Sequence, residues 1–320
     1  MTSQRLDYVD IAKGISILFV ICSHSRCNEL MWYAWAFFMP VFFVLSGYTY
    51  HYNNSLTVML RKKVRRLLIP YFFTNIVLIV ILFFLGKATL QNIFGIFYSR
   101  FYIIPNGKEL FHWWCAPTWF LTALFTSYML VFLIKGKENV EILCVPLFIL
   151  ITYGACQLPI LLPWSMDTSF IFAGYILVGA FLRRCDFFKF GWKLMLPIGV
   201  LYFAIIQFAG NINYSIRILG NDPSITFMAG TLGSILIIWV AKKIDNTKLK
   251  KPIIAIGKNS LLIFCFHIPI ISFFNYTIEK ELFYVSKYLF YLSGICSVIL
   301  TVIIGYAFSY FLRKVFPFLK

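Results

Sequence analysis

Long apolar runs dominate the chain. They recur near 8–25, 35–50, 67–85, 117–134, 141–157, 167–183, 194–210, 223–241, 259–277 and 288–312, separated by short polar stretches. Runs of about 17–25 residues have the length a helix needs to cross a bilayer core. No period-two alternation competes, and a bilayer admits only helices or closed barrels. The pattern predicts an all-α fold, a polytopic membrane bundle of about ten transmembrane helices. It forms a single membrane domain over residues 1–320, without an internal repeat.

Composition strengthens that reading. The chain is 61% hydrophobic and only 13% charged, about half the charge of a soluble domain. Its net charge of +17 follows topology. With an even number of spans and both termini in the cytoplasm, the basic clusters all fall on the inner side. These are Arg61-Lys62-Lys63-Val-Arg65-Arg66, Arg183-Arg184, Lys242-Lys243, Lys248-Leu-Lys250-Lys251 and Arg313-Lys314. That is the positive-inside arrangement, and it suits a multi-pass protein of the plasma or inner cell membrane. The first apolar run carries Lys13 and no small-residue cleavage site, so it is expected to stay as a helix rather than serve as a signal peptide. The eight cysteines show no C-x-x-C pair and no metal-ligand spacing, so neither a disulfide framework nor a metal is expected. Nothing points to nucleic acid. The longest outer connection, 86–116, holds the aromatic stretch 94–102, expected to lie at the interface or fold back over the bundle.

Candidate chemistry concentrates in a few places. Lys13 and His24 lie eleven positions apart, which on a helix is three turns plus about 20°, or about 16 Å along one face. Ionisable groups at that depth usually face a protein interior or a wet cavity. Asp10 lies one turn before Lys13, near the helix start, where a carboxylate also favours the dipole. His24 reads either as an interfacial ring or as a neutral base for a hydroxyl nucleophile. The basic loop 61–66 reads either as a topology signal or as a phosphate site. Ser46-Gly47 fits close helix packing or a ligand-facing serine. Trp119 fits an interfacial helix start, as Pro117 does. Ser165 or Asp167 fits a helix cap, and Asp167 also fits a carboxylate binding a sugar hydroxyl. His267 lies within an apolar run and needs a polar partner. His51 and His112 carry little signal.

In this order, the stretches Asp10-x-x-Lys13-Gly14 with His24 after it, Phe42-Phe43-x-x-Ser46-Gly47-Tyr48, Arg66-Leu-Leu-Ile-Pro70-Tyr71, Trp119-Phe120-Leu121, Pro163-x-Ser165-x-Asp167, and Gly257-Lys-Asn259-Ser260 leading to His267 resemble the membrane-bound acyltransferase-3 family. The branch they look most like contains fucose 4-O-acetylase-like proteins. The resemblance implies a ten-helix enzyme that moves an acyl group, usually acetyl from acetyl-CoA, to a hydroxyl of a cell-surface glycan or lipid-linked precursor. Lys13 and His24 match the family's spacing of a basic residue before its essential histidine. The family's Arg-x-x-Arg is present only approximately, as Lys63-x-x-Arg66 or Lys62-x-x-Arg65. The departure at Trp119-Phe120-Leu121 is the absence of the Ser and Glu that other branches carry after the tryptophan. With no fused hydrolase-like domain, the membrane domain would act alone. The implied catalytic set is His24, Lys13 and Asp10. Lys62, Lys63, Arg65, Arg66 and Ser46 would bind the donor, and Trp119, Asp167 and His267 the acceptor. Acyl-CoA would be a co-substrate, with no permanently bound cofactor, and membrane lipid the surrounding partner. A glycan or lipid-carrier transporter, or a non-catalytic subunit of a glycan-export complex, remains the alternative.

Overall fold

The computed structural model describes residues 6–50, 55–104, 107, 109–112, 114–134, 141–282 and 286–319. Every predicted apolar run contains an α-helix. In chain order the helices are α1 Asp7–Ser23, α2 Pro40–Tyr48, α3 Leu56–Lys63, α4 Ile69–Phe84, α5 Leu90–Tyr98, α6 Trp119–Leu133, α7 Cys144–Cys156, α8 Ser169–Arg184, α9 Trp192–Ala209, α10 Pro223–Ile244, α11 Lys250–Leu282 and α12 Lys287–Val315. A two-residue antiparallel pair, Ile212–Asn213 with Ile218–Leu219, closes the connection before α10.

Among the described residues, seven helical segments are long and apolar enough to cross a membrane. That is fewer than the expected ten. α1 has 17 residues, and the segment Glu141–Cys156 is shorter than the rest. The predicted run 35–50 contains only nine α-helical residues, because Pro40 opens α2. Proline has no N–H to give to a preceding turn and suits a first helical turn. The seven residues Asn28–Ala34 form a tighter 3-10 turn instead.

A second difference concerns the basic loop, which is helical. Ser55 caps α3 by accepting from the Val58 N–H, and the chain runs helically from Leu56 to Phe84. Between α3 and α4 lies one widened turn, Val64–Leu68, where the Ile69 N–H bonds the Val64 carbonyl. Pro70 explains it. Proline has no N–H to give, and in a regular α-helix its ring would strike the carbonyl four residues back. A π-type turn relieves that clash, and such turns often accompany functional sites. A third difference is that Gly257-Lys-Asn259-Ser260 lies inside α11 rather than opening a helix.

Helix packing relies on backbone contact at two places. A Cβ on Gly257 would fall 1.8 Å from the Asp10 carbonyl oxygen, so α11 lies directly on α1 there. Gly14 meets the Ile253 carbonyl in the same crossing. Gly47 of α2 and Gly179 of α8 make the equivalent contact, with Ile176 and Val44 carbonyls. Small residues are the usual means of such approach within a membrane. The outward faces are apolar: Leu196, Val200 and Phe203 on α9, and Ile295, Ile299 and Ile303 on α12, are exposed.

The aromatic stretch 94–102 begins within α5, which folds back over the bundle. Asn92, Gly95 and Ile96 are buried, while Leu90, Phe94 and Phe97 face out. The Tyr71 hydroxyl donates to the Ile96 carbonyl and the Trp164 Nε1–H to that of Phe97.

Candidate active site

The basic clusters gather where α1 begins. Arg61, Lys62, Arg65, Arg66, Arg183 and Arg313 border one cavity of about 1300 Å³. Lys242 sits over the Tyr8 ring, 4.9 Å from its centroid, and Lys250 is 3.5 Å from Asp7. The residues come from separate helices, so folding has concentrated their charge at one end.

A second, narrower cavity of about 300 Å³ is lined by Asp10, Lys13, Ser46, Lys62, Lys63 and Arg66. Asp10, Lys13, Lys62 and Arg66 border both cavities. Asp10 is buried, and Lys13 Nζ lies 3.9 Å from its carboxylate. Lys62 and Arg66 are exposed at the mouth. Lys63 is half-buried, its ammonium 3.0 Å from the Tyr128 ring centroid and 5.6 Å from that of Tyr50. The Tyr128 hydroxyl in turn donates to the Ser46 carbonyl at 3.3 Å. Gly47 packs on α8, and Ser46 lines the cavity.

Three aromatic rings also line the narrow cavity. Phe42 lies against Phe120, with centroids 5.6 Å apart, and Phe120 against Phe264 at 5.2 Å. Phe264 also lies against His267, at 5.6 Å. His267 is fully buried, and its ring is 5.2 Å from that of His24. His24 caps the C-terminal end of α1 and is an exposed residue. Its carbonyl accepts from the Asn275 Nδ2–H at 3.2 Å.

Lys13 lies within α1 and His24 caps its C-terminal end, so the two stand at opposite ends of this arrangement. Lys13 belongs to the cavity, and His24 stands beyond the aromatic rings. Arg26 was not expected. It is buried, bonds Ser293 Oγ, and donates to the Asn275 carbonyl at 3.1 Å. It pins the turn carrying His24 to α11 and α12. Its sequence signal was an arginine at the edge of an apolar run.

The expected acceptor set divides. His267 joins His24. Trp119 is buried against Phe120 and Phe172. Asp167 neither caps α8 nor borders either cavity. It is fully buried between Arg100 and Arg217, the latter 3.0 Å away, and also accepts from the Leu162 and Thr168 N–H groups. These bonds fasten the connections around 100, 162 and 217 to one another. His51 lies outside the described residues. Among the described residues, no group of His, Cys, Asp or Glu has the arrangement of a metal site.

Neither curated proteins nor solved structures provide a match. A family model does: the acyltransferase-3 model, described as an acyltransferase domain, aligns with residues 6–312. The match spans nearly the whole chain, and the chain belongs to the acyltransferase-3 family.

Proposed function

We propose that this membrane acyltransferase moves an acetyl group from acetyl-CoA to a hydroxyl of a cell-surface glycan or its lipid-linked precursor, as in the fucose 4-O-acetylase-like branch. The observation that carries the reading is one continuous series. It runs from the cationic cavity through Lys63 and the Phe42–Phe120–Phe264 rings to His267 and His24. Its basic end suits the cytoplasm by the positive-inside rule, placing both termini there. Cytoplasmic donor phosphates would meet Lys62, Lys63, Arg65 and Arg66, where charge-assisted bonds are strongest. Lys13, held by Asp10, would support the donor arm. About 16 Å of helix separates Lys13 from His24, too far for Lys13 to stabilise the oxyanion formed next to that imidazole.

His24 would act as general base on the acceptor hydroxyl. The oxygen attacks the thioester carbonyl, the carbon–sulfur bond breaks, and the thiolate leaves. The test is His24→Ala in purified protein. Acetyl transfer should drop about 100-fold or more, the usual worth of a positioned base, with acetyl-CoA affinity and membrane level unchanged. Undiminished transfer would remove His24 from the mechanism. A transporter or export subunit would show no acetyl transfer in the wild type.

A further inference from the structure

His267 has an arrangement that core packing alone does not explain. We propose that His267 carries protons: it passes to the departing thiolate the proton that His24 removes from the acceptor hydroxyl. The proposal rests on the acyl-transfer reading above. Nδ1 of His267 lies 2.6 Å from the Phe264 carbonyl oxygen. A carbonyl only accepts, so Nδ1 bears the hydrogen and Nε2 of the neutral ring holds the lone pair. That Nε2 is buried and has no hydrogen-bond partner. A histidine retained for packing would be expected to satisfy both nitrogens. Here the tautomer is fixed from one side, and the other nitrogen is kept ready to accept.

Position supplies the direction. His267 has two ring neighbours: His24, 5.2 Å away, and Phe264, 5.6 Å away, which lines the narrow cavity. His24 is the partly exposed member, and His267 the buried one. The acceptor therefore meets His24, and the thioester sulfur arrives from the side of His267. The step balances. The hydroxyl proton goes to His24, the oxygen bonds the carbonyl carbon, and the carbon–sulfur bond breaks. His24 then protonates Nε2 of His267, and that same Nε2–H goes on to the thiolate while Nδ1–H stays on the Phe264 carbonyl. Both imidazoles end neutral, and the products are an ester and the CoA thiol.

Leaving-group dependence tests this, because a thiolate of high proton affinity needs the proton and a nitrophenolate does not. His267→Asn keeps an N–H for the Phe264 carbonyl but cannot carry a proton. With acetyl-CoA, kcat should fall about 100-fold, while calorimetric affinity for acetyl-CoA stays within twofold. With 4-nitrophenyl acetate the loss should shrink at least tenfold. His24→Ala should lose activity with both donors. Equal losses of His267→Asn with the two donors, or full activity with acetyl-CoA, would overturn the relay and leave the His24 reading intact. Full activity of His24→Ala with both donors would overturn that reading and the relay with it. If His267→Asn fails to insert, His267→Gln repeats the comparison.

Discussion

Replacing Lys63 by Gln should weaken acetyl-CoA binding far more than replacing Arg66 by Gln, although both belong to one basic cluster. Lys63 is half-buried between the Tyr50 and Tyr128 rings, whereas Arg66 is exposed. A charge-assisted contact is worth about 1.5–3 kcal/mol, which for the shielded Lys63 corresponds to a loss of about 10- to 150-fold. At Arg66 solvent and salt screen the contact, so the loss should be no more than about fivefold. Calorimetry on purified protein at low and high salt would read both. The Arg66 effect should fade with salt, and the Lys63 effect should persist. A second donor, acetyl-pantetheine, lacks the nucleotide phosphates and should bind Lys63→Gln and wild type equally. If Lys63→Gln binds acetyl-CoA like the wild type, or loses both donors equally, the cavity does not read phosphate through this lysine.

Other outcomes follow from the packing and the ends of the bundle. Gly257→Ala must part α1 from α11 by about 1 Å, since its Cβ would fall 1.8 Å from the Asp10 carbonyl; overpacking costs about 1–3 kcal/mol, read as a lower unfolding temperature, and an unchanged one would refute the contact. Asp167→Asn leaves Arg100 and Arg217 buried without their carboxylate and should destabilise by about 3–5 kcal/mol, whereas a residue that only binds acceptor would leave stability alone. In a background without the native cysteines, Lys87→Cys in intact cells should react with an impermeant thiol reagent and Val64→Cys should not; the reverse would invert the topology.

Much of this architecture was legible in the chain, and the failures share a cause. Apolar runs report burial and length, so each of them holds a helix, although among the described residues only seven segments are long and apolar enough to cross a membrane. They do not report how a helix begins, so 35–50 was read as a full span although Pro40 shortens it. Charge density suggested a loop at 61–66. The local sequence sustains a helix there, and Pro70 only widens one turn. Lys62, Lys63, Arg66 and Ser46 lie on two short motifs, and the fold brings them to one cavity. The pairing of Asp167 with Arg100 and Arg217 was hidden because those partners lie 67 and 50 positions away, where no local pattern points. The His24–His267 pairing and the Gly14–Gly257 crossing were hidden for the same reason.

The backbone contact between α1 and α11 also divides the molecule into what stays and what moves. His24 and Lys13 ride on one of these helices, and His267 and Phe264 on the other. With carbonyl and glycine in direct touch, the two helices cannot slide without collision. A change in bilayer thickness that tilts a span would tilt both together, leaving the imidazole spacing unaltered. Any opening through which a substrate arm passes must then come from elsewhere. The rings of Phe42 and Phe120 and the widened turn at Val64–Leu68 lie outside that crossing. The spacing of the two imidazoles is thus tied to a single backbone contact.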